Sequence, residues 1–131
     1  MVTKLHEMGE LGEADLMDNY VTFMAGIFRS VRFGAASSHG KANMIRFNYF
    51  LEKGAFTKND AGTYAIDMEK MQEASRDLTA LILQIQGEGD YDAAANLVKE
   101  KGVINADLQA DLDRIDAAGI PVDIIFKQGI A

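Results

Sequence analysis

The sequence predicts a mainly α fold, a bundle of about five helices with one small β-hairpin at about residues 55–66. Three observations carry this. Apolar residues recur at three- and four-residue spacing over most of the chain, which is the helical period. Ser, Asp or Asn stands where most of these patterns begin and glycine where each of them ends, the residue types that cap and stop helices. The single proline, Pro121, lies near the end, so nothing interrupts long helices before it. A chain of 131 residues is large enough to bury a real core, and 1–131 is read as one helical domain.

Residues 1–12 form a short polar lead with Gly9 and Gly12, amounting to a frayed helical turn. The first long helix starts at about Ala14. Leu16, Met17, Tyr20, Phe23, Met24, Ile27, Phe28 and Val31 form its apolar stripe, and Asp15 in the first turn suits the helix dipole. Gly34 ends or bends it. Ser37 or Ser38 caps a second helix running to about Lys53, stopped by Gly54. Met44, Phe47 and Leu51 share one face of it, with Ile45 and Tyr49 on another. His39, Asn43, Arg46 and Phe50 form a separate stripe, polar at its N-terminal end.

Ala55–Thr57 and Thr63–Ile66 flank a five-residue loop and read as the hairpin. Asp67 caps a third helix whose core stripe is Met68, Met71, Ala74, Leu78, Leu81, Ile82 and Ile85, ended by Gly87. Asp90 caps a fourth, Tyr91 to Lys101, stopped by Gly102. Asn105 caps a fifth, carried by Leu108, Leu112 and Ile115 and stopped by Gly119. The apolar tail Val122–Phe126 is too short to make a sheet and is expected to pack on the helices or on another body.

Composition excludes several classes of function. The formal net charge of −7 argues against a general nucleic-acid binder, which needs clustered Lys and Arg. With no cysteine there is no disulfide framework and no thiolate metal site. No signal peptide is visible and no apolar run approaches the roughly 18 residues that span a bilayer. A soluble, cytoplasmic protein without nucleic-acid or membrane partners is expected.

Against this acidic background, residues 30–50 are locally basic, glycine-broken and serine-rich. Gly34 and Gly40-Lys41 are not a phosphate loop. Five residues separate the glycines where that motif has four, Ala42 replaces its Ser or Thr, and a helix precedes it rather than a strand. His6-Glu7 is not half of a zinc-protease helix, because Glu10 stands where the second histidine belongs. No self-contained metal site follows from the sequence. His39 remains, near a helix start beside Ser37, Ser38, Lys41 and Arg32, a polar group suited to an oxyanion or a carboxylate.

The segment Ser30 to Asn43, followed by Arg46-Phe47-Asn48 and Glu52-Lys53-Gly54-Ala55-Phe56, is distinctive. So are Ile85-Gln86-Gly87-Glu88-Gly89-Asp90-Tyr91 and Gly119-Ile120-Pro121-Val122-Asp123-Ile124. In this order they resemble the C-terminal part of the dipeptidyl peptidase III family of zinc metallopeptidases, in the branch found in bacteria and in plant proteins that carry a Nudix hydrolase domain. The resemblance runs from about residue 14 onward. It implies a C-terminal fragment of the zinc-bearing lobe of a larger peptidase, forming one wall of the substrate cleft. The family's zinc motifs precede the matching region, so zinc belongs to the parent and no cofactor to this chain. His39 matches a family histidine that faces the cleft, contacts substrate and helps stabilise the transition state. Arg32 and Lys41 are candidate substrate-binding helpers, as is Asn43, which stands where better-known members have an arginine.

The partners implied are the rest of the parent polypeptide, with its zinc-motif helices and second lobe, and a peptide substrate. Alone, the chain is expected to be inactive. The competing expectation is an autonomous helical interaction module, homodimeric through exposed apolar surface.

Overall fold

The computed structural model describes residues 2–123. Among them are six helices and one two-stranded antiparallel sheet, in the order α1 (Val2–Glu7), α2 (Glu13–Val31), α3 (Ser38–Glu52), β1 (Phe56–Lys58), β2 (Tyr64–Ile66), α4 (Met68–Glu88), α5 (Tyr91–Lys101) and α6 (Ala106–Ala117). The mainly α expectation holds. Residues 124–126 of the expected apolar tail lie outside the described residues. No described helix is long and apolar enough to cross a membrane.

Local chemistry explains most boundaries. Ser37, Asp67, Asp90 and Asn105 each accept a backbone N–H three residues on, satisfying a donor that the helix start leaves unpaired. Asp15 accepts the Gly12 N–H at 3.0 Å, so α2 starts one residue before the expected Ala14. In the hairpin, Phe56 faces Ile66 and Lys58 faces Tyr64. Asn59 closes the loop through both its amide and its backbone to Thr63, and Gly62 supplies the positive φ the turn needs.

Two boundaries depart further from expectation. The lead is a helix of six residues, α1, held by tertiary contacts: the Thr3 and Tyr20 hydroxyls are 2.5 Å apart and Val2 packs on the core. Gly87 does not end α4. The helix continues to Glu88, and Gly89, at φ 65°, closes it while Asp90 N–H donates back to Ile85.

The core lies between α2, α3, the hairpin, the first half of α4 and α6. Leu16, Tyr20, Met24, Ile27 and Val31 of α2 meet Met44, Phe47 and Phe50 of α3, with Phe56, Met71, Leu78 and Leu108 around them. Phe28 stands edge-on to Phe47 at 5.4 Å and to Tyr64 at 4.8 Å, favourable aromatic geometry. Met17, Phe23, Leu51 and Ile82, expected on core stripes, are exposed. Their helical period is real, but only the early turns of α4 reach the core, and α2 keeps one apolar flank uncovered.

α5 buries no residue, and polar contacts fix it instead. Asn48 on α3 donates to the carbonyls of Lys101 and Val103, both at 2.8 Å, and Lys101 pairs with Glu52.

Candidate functional site

The first turn of α3 is built tightly from behind. Gly40 is buried, and a Cβ there would lie 2.4 Å from the Gly34 carbonyl oxygen and 2.8 Å from the Ala35 Cα. Only glycine lets the 34–37 connection lie this close to the helix. Ser37 Oγ accepts the Gly40 N–H at 3.1 Å and the Ser37 carbonyl accepts that of Lys41 at 2.9 Å. The start of α3 is therefore clamped on one side.

His39 lies about 100° round the helix from Gly40, on a side open to solvent. It is exposed, and neither ring nitrogen has a hydrogen-bond partner among the described residues. The amides of Ser38 and His39 fall in the first turn, where N–H groups have no intrahelical acceptor and the helix dipole is positive. An oxygen that accepts a proton or carries negative charge suits this corner.

The four residues singled out from the sequence do not form one cluster. Asn43 follows His39 on the same face, one turn on, and its Oδ1 accepts from Arg46 Nη1 at 3.2 Å. Lys41 is exposed and sits about 200° round the helix from His39, since an α-helix turns about 100° per residue. Arg32 is committed elsewhere. Its Nη2 donates to Asp116 Oδ1 at 2.8 Å and to the Ile120 carbonyl at 2.5 Å, and its Nη1 to the Pro121 carbonyl at 3.0 Å. Only 9% of its side chain is exposed, and its buried Nε has no partner. Arg32 ties the end of α2 to the end of α6.

Among the described residues, no three His, Asp or Glu side chains converge to hold a metal ion. His6 is engaged on both sides: Nδ1 lies 2.9 Å from the Leu11 carbonyl and Nε2 3.1 Å from Glu13.

A second polar cluster escaped the sequence reading. Asp111, 4% exposed, accepts from Lys58 Nζ at 2.7 Å and Tyr64 OH at 2.5 Å, with Arg114 at 3.2 Å. Burial works against its charged form, but hydrogen bonds from Lys58 and Tyr64 and the nearby cations outweigh it. The carboxyl is held below its usual range. Burial and the bond to Asp111 push the Tyr64 hydroxyl well above its own. These groups satisfy one another and clamp the hairpin to α6. The sequence offered no local signal for them, because Lys58 and Asp111 are far apart in the chain.

Arg46 was also left aside by the sequence reading. It lines a cleft of about 430 Å³ whose other walls come from α1, α2 and α4 as well as Phe50 of α3. The stripe His39–Asn43–Arg46–Phe50 was legible and could have placed it there.

No protein-family model matches the chain. It is similar to Nudix hydrolase 3 of Arabidopsis thaliana, 40% identical over 116 residues, covering 88% of this chain and 15% of that protein. Among solved structures, it is similar to dipeptidyl peptidase III from Caldithrix abyssi, with a TM-score of 0.86, 38% identity, and coverage of 95% of this chain and 24% of that one. Dipeptidyl-peptidase III from Corallococcus sp. strain EGB gives a TM-score of 0.85 and 35% identity, with coverage of 95% and 23%. The chain spans less than a quarter of the length of each of these proteins. It has the fold of a segment of dipeptidyl peptidase III.

Proposed function

From this likeness to a segment of dipeptidyl peptidase III, we propose that the chain is the C-terminal piece of the metal-bearing lobe of a related hydrolase. It forms one wall of the cleft that holds a peptide. The observation that carries the reading is the presentation of His39: exposed, unpartnered among the described residues, and beside two open amides at the positive end of α3. A peptide carbonyl arriving there meets donors already in place. Donors fixed before the reaction stabilise the charge that develops on the carbonyl oxygen, at roughly 2.7–4 kcal/mol for each.

The supporting roles differ. Asn43 lies next along the same face and is the nearer candidate for holding substrate. Lys41 projects from another side of the helix and would reach only a substrate that passes over the helix start. Arg32 acts by position, since its guanidinium is already bound. The zinc that the resemblance implies does not fit the described residues, which bring no three ligands together. Its ligands would lie elsewhere in the longer protein.

The remainder of the polypeptide is the proposed partner. Met17 and Val21 of α2, with Phe28, Tyr64 and Ala65, border an apolar groove that faces water. In the isolated chain, a second copy could cover the same groove.

The test uses the longer protein. His39→Ala should lower kcat about 100- to 1,000-fold, the loss of one such donor, while zinc content stays the same. Unchanged turnover overturns the role of His39. The isolated chain should show neither peptidase activity nor a tight zinc site, and one tight site would overturn the fragment reading.

A further inference from the structure

We infer that the cleft between α1, α2, α3 and α4 is a binding site for a small carboxylate with an apolar body, the carboxylate taken by Arg46. The cleft has a volume of about 430 Å³, within the range of small-molecule sites. Phe23, Phe50, Leu78 and Ile82 give it apolar walls, and the Phe23 and Phe50 rings meet edge-on at 6.1 Å. Among the described residues, Arg46 is the only charged side chain that lines it.

Most of the other polar groups in its walls are already engaged. The hydroxyls of Thr3 and Tyr20 bond to each other, Asn19 Nδ2 donates to the Asp15 carbonyl, and Thr79 Oγ1 donates to the Ser75 carbonyl. Arg46 differs. Its one hydrogen bond among the described residues is to the neutral Asn43, and no described carboxylate lies within 4 Å of it. Arg32 and Arg114, by contrast, each have an aspartate. A guanidinium has five donors in a fork that matches the two oxygens of a carboxylate. One such fork at an apolar cleft, in a chain of net charge −7, selects a monoanion with a hydrocarbon body over a polyanion. The site lies two helical turns from His39 and does not rest on the role proposed for that residue.

The test is a titration of the whole chain with 4-phenylbutyrate, followed by amide nuclear magnetic resonance. Saturable shifts are expected at Phe23, Ser75 and Ile82. The neutral 4-phenylbutyramide should bind about tenfold more weakly, as the loss of a charge-assisted hydrogen bond requires. Arg46→Gln, a change at an exposed position, should reduce the affinity for the acid about tenfold and leave that for the amide unaltered. Equal affinity for acid and amide, binding indifferent to Arg46→Gln, shifts confined to other residues, or no saturation would each overturn the assignment. None of these outcomes bears on His39, whose test is turnover in the longer protein.

Discussion

Asn48 on α3 and Asn105 at the start of α6 are joined side chain to side chain, with Nδ2 of Asn105 donating to Oδ1 of Asn48 at 3.1 Å. Each amide does further work. Asn105 Oδ1 accepts the Leu108 N–H at 2.8 Å and so caps α6, while Asn48 Nδ2 gathers the Lys101 and Val103 carbonyls at the end of α5. Two amides thus set where α5 stops, where α6 starts and how both sit on α3. This network stands where an apolar contact would be expected, since α5 buries no residue.

Replacing Asn48 separates donor from acceptor. Asn48→Ala leaves two carbonyls and one amide without partners and should cost about 1–3 kcal/mol in urea unfolding. Asn48→Asp has nearly the same shape but turns a carboxylate oxygen toward the two carbonyls. It should therefore be less stable than Asn48→Ala at neutral pH. The reverse order would show that the amide fills space and does not organise the two helices.

Asp111 predicts a pH dependence. Its folded pKa lies below the ordinary 3.8, so the folded state binds this proton less readily than the unfolded chain does. The stability it contributes is complete above that ordinary value and is lost as pH falls through it toward the lower folded value. Asp111→Asn should reduce stability at neutral pH and flatten the acid side of the stability curve below about pH 4. Tyr64 acts with the opposite sign. Its folded pKa is raised above the ordinary 10.0, so its contribution is complete below that and declines as pH rises beyond it. Tyr64→Phe should remove that alkaline decline. Thermal melts of the chain and both variants across pH check both limbs.

These contacts divide what the sequence could disclose from what it could not. Ser37, Asp67, Asp90 and Asn105 were readable as caps because a cap bonds only three residues ahead. Gly87 misled because two nearby glycines compete for one helix end, and only the positive φ at Gly89 decides it. The lead was readable only as a frayed helical turn, because Tyr20, not its own propensity, holds α1. Phe23 and Ile82 lie on true helical stripes, but periodicity gives a face and not what covers it. At the site, His39 was legible as a member of a polar group near a helix start. Arg32 was not legible, since its side chain reaches partners 84 to 89 residues further on.

That reach predicts how Arg32 responds to change. Its fork bonds one carboxylate and two carbonyls, which a lysine ammonium cannot reproduce in the same geometry. Arg32→Lys keeps the charge and should still lose about 1.5–3 kcal/mol, the range for hydrogen bonds to a charged group. In the longer protein the same variant should lower the melting temperature more than it changes kcat/KM. A large loss of kcat/KM with no change in melting temperature would make Arg32 a substrate contact after all.

The last prediction concerns the clamp behind His39. A Cβ at Gly40 would overlap the Gly34 carbonyl oxygen and crowd Ala35 Cα, both of them backbone, so no side chain can swing aside to make room. Gly40→Ala should cost about 1–3 kcal/mol, the usual range for forcing a group into a packed site. The cost has a functional side, because the 34–37 connection carries Ser37, whose hydroxyl fixes the first turn on which His39 stands. Moving that connection should weaken the cap and let the turn shift. Ser37→Ala provides the control: it removes the cap for about 1 kcal/mol without moving the backbone. In the longer protein, Gly40→Ala should therefore lower kcat more than Ser37→Ala does at matched stability. Equal kcat in the two variants would mean that His39 does not depend on how closely the connection packs.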